Sequence, residues 1–405
     1  MKKALLLFCL ISFSLAAQTE IQAFGISSSG FVKTDLFYDS RQSVTIREGH
    51  FLLYPQNEHL DINSNDINDK SSFNILSIQS RINGKITGPE VMGAKPSAVL
   101  EGEFFGTSDA DINGFRLRHA FVKLDWEKTS LLVGQTWHPM FIVEMFPGVV
   151  SFNTGAPFQP FSRNPQVRFT HLVDKIKFIA TAASQRDFAS NGPEGFSSVY
   201  LRNSVVPNLN AQLQYIGENI FSGVGIDYKT ITPRISTAKK VKTKESLSSL
   251  SFTGFAKLSI NPITFKLQGV YGSNLADHLM LGGYAISFSD TISGIEKYTG
   301  IKCFSVWGEI SVGKDIEYAV FAGYTKNLGA EDNIAGSYYG RGTNIGNVFR
   351  VSPRVQFTFD KLRISTEFEY TSSAYGTLNN LNKGEVENVK DFSNVRIIGA
   401  VYYFF

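Results

Sequence analysis

The sequence predicts an all-β fold: a transmembrane antiparallel β-barrel of 16–18 strands with one long loop folded into its lumen. Three observations predict it. Apolar and polar residues alternate with period two over segment after segment, the pattern of strands that keep one face wet. Past the first few positions no apolar run reaches about 18 residues, so no membrane-spanning helix is expected. Aromatic residues make up 13% of the chain, with 34 Phe and 16 Tyr against 5 Met; they recur near strand ends, where a barrel needs an interfacial girdle.

The amino terminus reads as an export signal. Lys2 and Lys3 form a positive n-region, residues 4–13 an apolar h-region, and Ser14-Leu15-Ala16-Ala17 a small-residue cleavage site. Residues 1–17 are therefore expected to be a signal peptide. Residues 18–405 are expected to form a single barrel domain, since no linker, low-complexity tract or composition shift divides them. Cys9 leaves with the peptide and Cys303 stays alone, which excludes a disulfide framework. A net charge of +3 is too close to balance for nucleic-acid binding.

The strands follow from the alternation. In residues 76–86, Leu76, Ile78, Ile82 and Ile86 oppose Ser77, Gln79, Arg81, Asn83 and Lys85. Residues 209–215 set Leu209, Ala211, Leu213 and Tyr215 against Asn210, Gln212 and Gln214. Residues 349–359 repeat the pattern, with a bulge expected at Pro353 because proline cannot donate to the ladder. Residues 115–121 begin in phase and slip at Val122, where either a bulge or the end of the membrane zone is expected. Residues 131–137 take no face from pattern alone. Eighteen strands result, starting near Phe31, Phe73, Ala98, Phe115, Leu131, Gln166, Lys177, Ser198, Leu209, Gly223, Pro233, Leu250, Thr264, Lys302, Glu317, Val348, Arg363 and Val395. Losing the pair near Gly223 and Pro233 would give 16. Short turns at 126–129, 173–175, 207–208, 261–262, 314–315 and 360–361 lie on one side. Longer polar loops at 43–70, 187–195, 328–345 and 375–391 lie on the other, as a transmembrane barrel requires. The competing soluble sandwich would need a second apolar set to cover the first, and none is evident.

A closed barrel of this size leaves an aqueous lumen, and the polar strand faces say what lines it. Alternation turns Arg81, Lys85, Arg116, Arg118, Arg168, Arg202, Lys266, Arg350, Arg354, Arg363 and Arg396 inward. Asp35, Asp39, Glu101, Glu103, Glu309, Glu367 and Glu369 turn inward with them. Like charges stack on single strands at Arg116 and Arg118, Arg350 and Arg354, Glu101 and Glu103, and Glu367 and Glu369. Such ladders either set a field that selects polar solutes, basic walls favouring anions, or simply pair with their neighbours. For Arg116, Arg118 and Arg168, close to the long loop, the selecting role is the expectation. That loop, residues 140–163, is too apolar for disorder and too long to lack a function. Folded inward it makes a constriction, with Glu144, Asn153, Gln159 and Arg163 facing the solute. Phe146, Phe152 and Phe158 then pin it to the wall or form a sliding surface. Packing over the rim or into a subunit contact are the alternatives.

The segment Leu132-Val133-Gly134-Gln135-Thr136-Trp137, followed by a long loop, resembles the G-Q-T-W segment of DcaP-like outer-membrane porins. The likeness continues loosely through residues 224–230 and 274–284. The ending Val401-Tyr402-Tyr403-Phe404-Phe405 resembles the terminal strand of bacterial outer-membrane proteins, where it serves as an assembly signal. The DcaP-like resemblance implies a trimeric diffusion channel of 16 strands that prefers anionic solutes; this chain departs from it in showing no coiled-coil segment before the first strand. The expected function is thus an outer-membrane porin, a passive channel for small hydrophilic, anionic solutes. Its partners would be outer-membrane lipid and two further copies of itself, with no cofactor and no metal. From a different class, the chain would be an adhesin, receptor or scaffold acting through loops 43–70 and 328–345. A barrel enzyme ranks third. His50, His59, His119, His138, His171 and His278 form no H-x-x-x-H or H-E-x-x-H pattern, and no G-x-S-x-G elbow occurs. His138 reads as a hydrogen-bonded wall residue, the Lys239, Lys240, Lys242 and Lys244 run as a solvated strand end or headgroup contact, and Asp61, Asp66 and Asp69 as a solvated loop.

Overall fold

A computed structural model describes residues 24–405, so the expected signal peptide, residues 1–17 with Cys9, lies outside the described residues. Sixteen strands close into one antiparallel barrel. In order they are β1 (Gly25–Asp39), β2 (in two halves, Ser72–Leu76 and Arg81–Thr87), β3 (Lys95–Glu103), β4 (Arg116–Asp125), β5 (Thr129–Trp137) and β6 (Arg163–Val173). Then come β7 (Ile176–Ala183), β8 (Asn208–Ile216), β9 (Ile220–Ile231), β10 (Leu247–Ile260) and β11 (Ile263–Ser273). The last are β12 (Glu296–Gly313), β13 (Ile316–Asn327), β14 (Ile345–Phe359), β15 (Leu362–Asn379) and β16 (Glu385–Phe404). β1 pairs with β2 on one edge and with β16 on the other, from Phe31 opposite Phe404 to Asp39 opposite Arg396. Gly30 and Phe405 exchange both backbone hydrogen bonds at 3.1 Å, so the aromatic carboxyl terminus closes the seam.

Two expected strands are replaced. Near Ser198 the chain forms one helical turn, α1 (Val199–Asn203), which leaves Arg202 exposed rather than in the lumen. Residues 232–246, around Pro233, are a loop. The strand near Gly223, by contrast, is the full-length β9. Residues 207–208 fall at the long-loop end. Residues 375–391 are no polar loop: β15 and β16 run on and meet at the turn Asn380–Asn382.

Side chains sort as the alternation predicts. On β8, Leu209 and Leu213 are exposed while Asn208, Asn210, Gln212 and Gln214 are buried, the reverse of a soluble sheet. Phe349, Phe359, Tyr318 and Tyr403 likewise face outward. The slip in β4 is a bulge at Arg118, opposite Glu101 and Gly102, and it turns Arg118 and His119 inward in succession. At Pro353 there is no bulge. The ladder to β15 lapses between Val351–Tyr370 and Arg354–Glu367, keeps its register, and leaves Pro353 exposed.

The first long loop holds a hairpin, Ser43–Ile46 with Phe51–Pro55, whose second strand is buried throughout. Its apolar side chains join Phe105, Trp137, Phe141, Phe152, Phe158 and Phe161 in one cluster. The lumen is therefore dry where these loops meet, contrary to a fully aqueous interior. The reason is that the loops carry apolar surface, and the barrel interior is where a loop can hide it from water.

Candidate channel constriction

The constriction starts at Gly134. Its φ is +136°, and a Cβ there would lie 2.2 Å from the Ala120 carbonyl oxygen on β4, so the position requires glycine. Beyond it Thr136 and Trp137 are both buried. Trp137 stacks on Phe141 with ring centroids 3.9 Å apart, and the guanidinium groups of Arg118 and Arg163 stand 5.7 and 4.9 Å from its ring. The G-Q-T-W segment is thus the root from which the loop enters the barrel.

The loop comprises residues 138–162; Arg163, expected within it, begins β6 opposite Trp137. It crosses the lumen to the far wall. A buried irregular backbone has orphan N–H and C=O groups that need partners, and the inward charges of the barrel supply them. Carboxylates take the N–H groups: Gly148 N–H donates to Glu309 at 2.7 Å, Val150 N–H to Glu367, and the Asn153 amide to Glu369 at 2.8 Å. Cations from the same wall donate to the carbonyls: Lys33 to Val150 at 2.9 Å, Lys266 to Phe146 at 2.7 Å and Arg350 to Ala156 at 2.7 Å. Arg350 also donates to Leu53, and Arg396 to Gly49, holding the first loop in the same manner. Several charges expected to line water thus clamp loops.

The basic wall near the root is mostly neutralised. Glu103 accepts from Arg116 at 2.6 Å, Arg118 at 2.7 Å and Arg81 at 3.1 Å; Glu101 accepts from Arg118 at 2.7 Å; Asp187 takes Arg163 at 2.6 Å. Arg168 stands apart. It donates to Gln166 and to the Trp137 carbonyl at 2.6 Å, and no carboxylate among the described residues pairs with it. Asn153, Gln159 and Arg163 are buried, whereas Glu144 is exposed, 3.4 Å from Lys177. Phe152 and Phe158 are buried and pin the loop; Phe146 is exposed. Lys85 is exposed too.

Beneath the loop, toward the short-turn end, lies a cavity of about 370 Å³. Arg81, Arg118, Lys266, Lys314, Arg354 and Arg363 line it, against Glu309 and Glu317. Arg354 bridges those two carboxylates at 2.8 and 2.9 Å. A second cavity, about 340 Å³, places Arg168 and Glu144 together on its wall. The first-loop hairpin was missed by the alternation, although four successive apolar residues, Phe51-Leu52-Leu53-Tyr54, were its signal.

Comparison with known proteins gives a consistent answer. The model of the DcaP outer membrane protein family matches residues 16–213. No curated protein sequence matches the chain. Among solved structures, the outer membrane channel DcaP of Acinetobacter baumannii superposes with a TM-score of 0.68 at 12% identity, covering 94% of this chain and 97% of that one. An anion-selective porin from Comamonas acidovorans gives 0.58 at 11% identity, covering 95% and 100%. OmpT of Vibrio cholerae in its trimer form gives 0.55 at 12% identity, covering 95% and 100%.

Proposed function

We infer that this chain, DcaP-like over residues 16–213 and porin-like in fold throughout, is an outer-membrane porin that passes small hydrophilic solutes by diffusion. The observation that carries this reading is the loop 138–162, clamped across the lumen by interleaved cations and carboxylates of the far wall above a polar cavity. A lumen narrowed in this way sorts solutes by size and charge without a chemical step. The solute class is anionic: of the six cations lining the cavity, Lys314 and Arg363 have no carboxylate paired with them among the described residues, and a fold relative is an anion-selective porin. Arg168, with no carboxylate paired to it among the described residues, adds to that preference. Residues 1–17 direct export, residues 18–405 form the mature barrel, and three copies assemble, as in the trimer form of OmpT. The adhesin or scaffold reading is weaker, because the first loop it needs outside is partly folded into the barrel.

Planar-bilayer recording tests this. The purified protein is expected to give stable conductance steps whose reversal potential in a salt gradient favours anions. A protein that inserts and gives no steps would be a scaffold instead.

A further inference from the structure

Where the loop leaves β5, three buried side chains from distant parts of the chain converge. His138 is the first loop residue, Asp227 lies on β9, and His278 lies in the turn Ala276–His278 after β11. One ligand atom from each falls within 4.8 Å of the others. His138 Nε2 is 3.6 Å from Asp227 Oδ1, close to the roughly 3.4 Å separating two ligands on a tetrahedral zinc. The His278 ring is already oriented: Nδ1 lies 2.9 Å from Ser162 Oγ at the loop's other end, while the buried Nε2 has no hydrogen-bond partner. A neutral histidine with Nδ1–H donated and a bare Nε2 is the tautomer a metal takes. The nearest ammonium, Lys229, is already paired with Asp277, so Asp227 can offer its charge to an ion.

We propose that His138, Asp227 and His278 form a binding site for one transition-metal dication of the zinc class, stapling the root of the constriction loop to β9. His138 Nε2 now lies 2.6 Å from Asn208 Oδ1, and its Nδ1 receives the Met140 N–H at 3.3 Å. Loading moves the His138 proton from Nε2 to Nδ1, which gives up the Asn208 hydrogen bond as well as the long Met140 contact, and the metal bond to Nε2 replaces the former. Two imidazoles and one carboxylate suit zinc, nickel or copper better than calcium or magnesium, which prefer oxygen.

The test uses the full barrel in detergent, stripped with chelator, re-exposed to Zn²⁺ and desalted. About one zinc per chain is expected, with a raised thermal midpoint and faster exchange at the Met140 amide. Co²⁺ in its place should show the visible absorption of a tetrahedral site. Asp227→Asn, of nearly the same shape, and His278→Ala should each lose the zinc, while His59→Ala, in the first loop, should retain it. Ser162→Ala should weaken binding about tenfold. Heat-modifiable migration on gels verifies that each variant folds. A folded wild type that holds no more zinc than His278→Ala, or Co²⁺ without tetrahedral bands, would overturn the proposal. The conductance measurements above stand or fall separately.

Discussion

Arg116 and Arg168 bring the same charge into the same lumen, and their surroundings give them different consequences. Arg168 has neutral partners, so its field reaches the solute. At about 5 Å in water one charge contributes about 0.8 kcal/mol, a few-fold in permeability ratio. Arg168→Ala should therefore shift the reversal potential toward cations by a few-fold loss of anion preference. Arg116 is paired with Glu103, which Arg118 and Arg81 share. Breaking a buried pair outright costs about 3–5 kcal/mol; with two cations left on Glu103, Arg116→Ala should cost about 1–2 kcal/mol by thermal melting and leave selectivity nearly unchanged. Asp187, in the loop between β7 and β8, supplies a pH dependence. Burial pushes its carboxyl up, but Arg163 and then Arg116 outweigh that and hold it below the ordinary 3.8. A depressed carboxylate stabilises above its unfolded value and loses that contribution as pH falls through the folded one. The stability gap between wild type and Asp187→Asn should thus be flat from neutral pH down to about 4 and shrink below it.

At the scale of elements, the barrel and its loops are stabilised by different things and should fail separately. The strands are held by continuous ladders; loop 138–162 is held by side-chain clamps and aromatic packing. Phe158 is fully buried, sits where a Cβ on Gly323 would come within 2.4 Å of its ring, and has Arg350 above it at 5.2 Å. Phe158→Ala should cost about 3–5 kcal/mol of loop docking. It should be read as noisier conductance and proteolysis within residues 138–162, with the heat-modifiable barrel band intact. The same division explains what the sequence could tell. Strand faces are local, so Leu209 to Tyr215 and Phe349 to Phe359 disclosed them directly. Short apolar runs are ambiguous between helix and strand, which is why Val199-Tyr200-Leu201 passed for a strand and proved a helical turn. The clamps were not legible at all. That Lys33 would hold the Val150 carbonyl depends on how β1 and a loop more than a hundred residues away meet inside a closed wall. Nor was it legible that Asn153 and Arg163 would be buried while Glu144 stays exposed: all three are polar residues of one stretch, and only the path of the loop separates them.

The whole molecule combines a near-neutral balance overall with one cavity wall that carries more cations than acids. A net charge of +3 on 405 residues predicts little long-range attraction, yet the cavity beneath the loop gathers six cations against two acids. Selectivity must then come from charges met inside the barrel, and salt distinguishes how they act. At 0.1 M the Debye length is about 10 Å, so a solute in a cavity of about 370 Å³ stays within reach of all its wall charges; at 1 M it is about 3 Å, and only contacts count. If the cations act as a field, the anion-to-cation permeability ratio should be well above one at 0.1 M and approach one at 1 M. A ratio unchanged over that range would mean that the anion is bound by direct contact at one place. Arg363, which lines that cavity and has no carboxylate paired with it among the described residues, would then be the first residue to replace, because a contact site needs a donor that the protein has not already satisfied.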